Sequence, residues 1–63
     1  MRGYDLPGGG RIDLDAVKYI GKLFINKNYP QYNSYEIYLS DGKSHGIFES
    51  IISRADFILA WEA

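Results

Sequence analysis

Tyr35, Ile37 and Leu39 alternate with Glu36, Tyr38 and Ser40, the period-2 pattern of a strand with one more apolar face. Ser40-Asp41-Gly42-Lys43 then punctuates the chain as a hairpin turn, because Gly42 accepts the positive φ that such turns require. On the returning strand Ile47 and Phe48 are adjacent, so the apolar pattern leaves two registers open. A two-residue Asp41-Gly42 turn sets Tyr35 opposite Phe48 and Ile37 opposite Gly46. A three-residue loop with a bulge at Gly42 sets Tyr35 opposite Ile47 and Ile37 opposite His45. Ser53-Arg54-Ala55-Asp56 next has the form of a capping box, with Ile52 placed to staple against Phe57. Phe57, Ile58 and Trp61 form the apolar stripe of the helix that follows, with Ala55 and Leu59 at its margins. Such a short helix is unstable alone and must pack on the sheet.

Upstream the pattern is weaker. Gly3 to Leu6 and Arg11 to Leu14 read as two short strands around a Pro7-Gly8-Gly9-Gly10 turn. Val17 to Ile25 reads as another strand, with Val17, Tyr19, Leu23 and Ile25 on one parity and Ile20 and Phe24 on the other. A rival reading makes Asp13 the N-cap of a short helix through Tyr19; the β-branched and aromatic residues favour the strand. Asn26 to Ser34 is a loop, rich in asparagine and broken by Pro30, and longer than the roughly 2–5 residues of an ordinary hairpin connection. The expected architecture is α+β: one domain over residues 1–63, with an antiparallel sheet of about four strands and one C-terminal helix packed on a face.

Composition narrows the functional classes. A chain of 63 residues buries only roughly 60% of its unfolded surface, so self-association as a homodimer or higher oligomer is the expected source of further burial. There are no cysteines and one histidine, which removes disulfides and thiolate metal sites, and neither metal nor cofactor is expected. Seven basic against eight acidic residues, interspersed, give a net charge of −1 and make nucleic acid an unfavoured partner. No apolar stretch reaches the roughly 18 residues of a membrane span, and the first residues lack a signal-peptide core. The simplest expectation is a soluble cytoplasmic protein. Six tyrosines stand out, and tyrosine serves interfaces as well as small cores.

Candidate chemistry is sparse. Gly8-Gly9-Gly10 followed by Arg11 offers backbone N–H groups and a guanidinium to an anion, although the spacing matches neither nucleotide-binding glycine motif and a plain turn is the simpler reading. Asp13 and Asp15 place two carboxylates on one side of a strand without further oxygen ligands nearby. His45 lacks an adjacent nucleophile, since Ser44 points to the opposite face, and Glu36 is reached only diagonally. No serine-hydrolase elbow, P-loop or acid/base spacing is present, so an enzyme is not expected. The most suggestive group is Tyr29 and Tyr32 with Lys27, Asn28, Gln31 and Asn33, which serves either as an interface anchor or as a lid folded back over the core.

The order Ile12-x-Leu14, Val17, Ile20, Tyr35-x-Ile37-x-Leu39-x-Asp41-Gly42-Lys43 and Glu49-Ser50 resembles the layout of short flagellar FlbD-type proteins. Alternating apolar residues about an Asx-Gly-Lys turn are common to many hairpins. The tyrosine loop and the Ser53-capped helix depart from that layout, so no role is carried over. The leading expectation is a non-enzymatic binding protein that occupies or inhibits a macromolecular partner, a protein above all, through Lys27, Tyr29, Tyr32 and Asn33. The alternative is an oligomer that sequesters an anionic small ligand such as a nucleotide, with Gly8, Gly9, Gly10 and Arg11 lining the site. Single-stranded nucleic acid stacked on tyrosines is the third, weaker reading.

Overall fold

A computed structural model describes residues 2–63. Among the described residues five antiparallel strands form two sheets, and one α-helix follows them. Strands β1 (Gly3–Asp5) and β2 (Arg11–Asp13) make an N-terminal hairpin. Strands β3 (Val17–Ile20), β4 (Ser34–Leu39) and β5 (Ser44–Phe48) make a three-stranded sheet with β4 in the centre. The helix α1 spans Arg54–Glu62. The α+β class is therefore as expected; the strands number five and divide between two sheets.

The core forms where the two sheets and α1 meet. Ile12, Leu14, Val17, Tyr35, Ile37, Ile47 and Phe57 are buried together, and Tyr4, Leu6, Ile20, Leu39, Ile52 and Trp61 pack around them. Phe57 is fully buried, and its ring meets Tyr4 edge-on at a centroid distance of 5.1 Å. Deleting such a ring costs about 3–5 kcal/mol, a large share of what a small domain has.

The β4–β5 register is the three-residue-loop alternative: Tyr35 lies opposite Ile47 and Ile37 opposite His45. Gly42 takes a φ of +91°, and its N–H donates to the Leu39 carbonyl at 3.1 Å. This register turns Ile47 inward beside Tyr35 and leaves Phe48 outside at 46% exposure. Burial thus resolves what the adjacent apolar pair left open.

Three local readings are corrected. The strand expected over residues 17–25 ends at Ile20, and a bulge between Val17 and Tyr19 inverts its parity. Ile20 consequently joins Val17 on the core face, while Tyr19 turns outward opposite Tyr38. Leu14 is not in β2; it begins a 3-10 turn, Leu14–Ala16, capped by Asp13, so the rival, disfavoured reading holds for the cap, in an element that ends at Ala16 rather than Tyr19. On α1 the packed positions are Phe57, Ala60 and Trp61 rather than Phe57, Ile58 and Trp61. The start of α1 is as expected: Asp56 N–H donates to Ser53 Oγ at 3.1 Å. Glu49 Oε2 adds a second cap, accepting from the Arg54 N–H at 2.7 Å. No helix among the described residues is long and apolar enough to cross a membrane.

Candidate functional site

The segment from Asn26 to Asn33 lacks strand pairing yet is closely tied down by its own asparagines. Asn26 Oδ1 accepts from the backbone N–H groups of Asn28 (3.2 Å) and Tyr29 (3.0 Å). Asn33 Oδ1 accepts from the Asn26 N–H at 2.7 Å. Pro30 opens a 3-10 turn, Pro30–Tyr32, in which the Tyr32 N–H donates to the Tyr29 carbonyl at 2.8 Å. The Glu49 N–H donates to the Asn33 carbonyl at 2.8 Å, anchoring the loop to the strand beyond Phe48. Asparagine supplies such short-range bonds readily, so residues that disfavour regular structure here build a defined one.

The consequence is a fixed aromatic row. Tyr29 and Tyr32 are 55% and 53% exposed, so neither folds back as a lid over the core. Their rings meet at 5.9 Å, and Tyr32 meets Phe48 at 6.0 Å, each pair tilted. Ile51, 59% exposed, follows in the turn after β5, where its N–H donates to the Phe48 carbonyl at 3.0 Å. Lys27 lies exposed on the same loop, and Asn33 is half-buried beneath it as the loop's fastening rather than as an open contact.

Phe48 also connects this row to the glycine turn. A cleft of about 360 Å³ runs between β5 and the tip of the first hairpin, lined by Leu6, Pro7, Gly8, His45, Gly46, Ile47, Phe48 and Ile51. Gly8 and Gly9 both have positive φ, and the Gly9 N–H donates to the Leu6 carbonyl at 3.3 Å. The Leu6 N–H in turn donates to the Gly10 carbonyl at 2.7 Å, so the triplet forms a closed turn. Arg11 does not point into this cleft group: its Nη1 pairs with Asp5 Oδ1 at 2.7 Å, and its guanidinium lies against Gly3. Structure therefore brings Gly8 towards the tyrosine row through Phe48, while the Arg11 cation is held by a neighbouring carboxylate.

The remaining polar candidates are engaged in folding. Asp13 Oδ1 accepts from the Asp15 N–H at 3.0 Å and from the Arg2 N–H at 3.1 Å, and these bonds, that from Asp15 foremost, hold its carboxyl below the ordinary range. Asp15 Oδ1 pairs with Arg2 Nε at 2.8 Å. Among the described residues no group of three or more histidine, cysteine, aspartate or glutamate side chains is placed to hold a metal ion. His45 lies opposite Ile37 on the core side of β5, while Glu36 lies on the outer face opposite Gly46. The diagonal approach of Glu36 to His45 therefore does not occur.

A second aromatic group on the outer sheet face was not singled out from sequence. Tyr19 and Tyr38 stack at 4.5 Å, and a hydrogen bond to the Glu36 carboxylate raises the Tyr38 hydroxyl above its usual range. Phe24, 71% exposed, is pinned by two backbone bonds with Ser34, and a shallow cleft of about 260 Å³ lies between it and Tyr38. The signal for Phe48 was the loop register and for Tyr19 the bulge; both are tertiary outcomes. Comparison with protein-family models, with curated proteins and with solved structures gives no match for this chain.

Proposed function

We propose that this chain is a non-enzymatic binding protein that acts by occupying a macromolecular partner, and that the partner is a protein docking on the Tyr29–Tyr32–Phe48 row. The observation that supports this reading is the combination of more than half-exposed tyrosines with a backbone pinned by Asn26 and Asn33. A tyrosine held in place before contact loses little freedom on binding and buries a large ring, which is why such residues dominate interface energetics. The row also carries little charge. The loop that carries both tyrosines, residues 26–33, holds a single cation, Lys27, too few for the multiple phosphate contacts that sustain nucleic-acid affinity. Self-association through the same exposed rings belongs to this reading.

The decisive test immobilises the full chain, identifies the proteins it retains, and repeats the binding with each purified candidate. Alanine at both Tyr29 and Tyr32 is expected to weaken the true complex by about 2 kcal/mol or more, with thermal stability little changed. Unchanged affinity would remove the row from the interface. The nucleotide alternative has less support, since the Arg11 guanidinium is paired with Asp5. It predicts a rise in thermal stability of about 2.7 kcal/mol with nucleotide at a hundred times its Kd, against none on the protein-docking reading.

A further inference from the structure

The two edges of the three-stranded sheet differ. At β3 the edge is broken by the bulge between Val17 and Tyr19 and carries the exposed Lys18, two devices that discourage further strand pairing. At β5 neither device is present: Ser44-His45-Gly46-Ile47-Phe48 contains no lysine, no proline and no bulge. The Leu39 N–H donates to the Lys43 carbonyl and the Glu49 N–H to the Asn33 carbonyl, so the odd-numbered residues of β5 face β4. The N–H and C=O of Gly46, and the N–H groups of Ser44 and Phe48, consequently point away from the sheet. Among the described residues no hydrogen bond to Gly46 comes from that side. This open edge borders the cleft whose far wall is Leu6, Pro7 and Gly8.

We infer that β5 receives an extended peptide segment of the partner by strand addition, with an apolar side chain of that segment filling the cleft between Ile47, Ile51 and Leu6. The inference rests on the reading of the adjoining tyrosine row as a docking face, and it names the form of what docks. Outward N–H and C=O groups along one line are matched by another extended backbone. Residues of an added strand alternate between the faces, so every second side chain drops toward the cleft and the others lie beside Phe48. No aspartate, glutamate, lysine or arginine lines the cleft, which selects apolar side chains there. A second copy of β5 supplies no free apolar side chain to the cleft, because Ile47, on the face that would meet it, is 3% exposed and committed to its own core.

The test selects a linear heptapeptide library on the immobilised full chain and titrates the enriched peptides into isotope-labelled protein. Expected are sequences with apolar residues at alternate positions, and slowed exchange of the Gly46 and Phe48 amides on binding. Methylating the peptide nitrogens on alternate residues should weaken binding by about tenfold in one phase and leave it unchanged in the other. Gly46→Pro removes the outward donor while leaving the bonds to β4, and is expected to weaken binding by a similar factor. Failure to enrich any peptide, methylated peptides that bind equally in both phases, or protection absent from Gly46 would each overturn strand addition. The two readings separate cleanly. Loss with Tyr29→Ala/Tyr32→Ala but none with Gly46→Pro or methylation retains the docking row and removes strand addition. The converse pattern retains strand addition and removes the tyrosines.

Discussion

The Tyr35 hydroxyl donates to the Ile52 carbonyl at 2.8 Å, joining the middle strand of the sheet to the residue before the helix cap. Tyr35 is 1% exposed, so this bond satisfies a hydroxyl that would otherwise be buried without a partner. It also sets the position of Ile52 and, through it, of Ser53 at the start of α1.

Burial, with a smaller contribution from Glu49, pushes the Tyr35 hydroxyl up to about 12 from its ordinary value of 10.0. A group raised in the folded state contributes stability that is fully present below its unfolded pKa and lost as pH rises through the folded one. The wild-type chain should therefore lose up to roughly 2 kcal/mol from this group between about pH 10 and pH 12. Tyr35→Phe should be less stable by about 1 kcal/mol at pH 7 and should show a shallower alkaline decline. Urea unfolding across that range measures both; parallel curves for the two proteins would refute the assignment.

Asn33→Ala removes the acceptor of the Asn26 N–H and should free the tyrosine loop with a loss of about 1 kcal/mol at most. Amide exchange at Asn26 and Tyr29 should accelerate while that of Ile37 and Ile47 stays slow. Because the tyrosines then lose their preset positions, partner affinity should fall even though both rings remain.

Arg2 closes the opposite end of the helix. Its Nη1 donates to the carbonyls of Trp61 (3.0 Å) and Ala63 (2.9 Å), at the negative end of the helix dipole. Arg2→Ala should cost about 1 kcal/mol and raise amide exchange in the last turn of α1. Arg2→Lys should recover only part, since an ammonium cannot serve Asp15 and these carbonyls in one planar fork.

Gly42 has open space around a would-be Cβ but a φ of +91°. Gly42→Ala should therefore destabilise by about 1 kcal/mol through backbone strain alone, with Gly42→Asn milder. Denaturant midpoints for the pair separate strain from any steric cause.

Local chemistry made much of this readable. Ser53, the Asp41-Gly42 turn, the glycine-rich tip of the first hairpin and the asparagine loop each act through their own backbone or neighbours a few residues away. The candidate surface was half legible for the same reason: Tyr29 and Tyr32 lie in a segment whose composition marks it as a loop. Phe48, which links them to the cleft, was not, because its facing depends on a register that adjacent Ile47 and Phe48 leave undetermined.

What lay beyond local pattern depended on distant partners. β3 ends at Ile20: the Gly21 N–H still makes the in-register bond to the Glu36 carbonyl at 2.8 Å, but the Gly21 carbonyl leaves the ladder and accepts from Arg54 Nε at 2.8 Å, 33 positions along the chain. The division into two sheets arises because β1 and β2 pack against Phe57 and Tyr35 rather than extending the β3–β5 ladder. The place of the hairpin turn, the Ser53 cap and the extent of the loop could be read from the sequence, since bonds within a few residues settle them. Register, the parity of β3 and the open edge at β5 were decided only by tertiary structure, since a period-2 strand has two faces and burial against distant residues chooses between them.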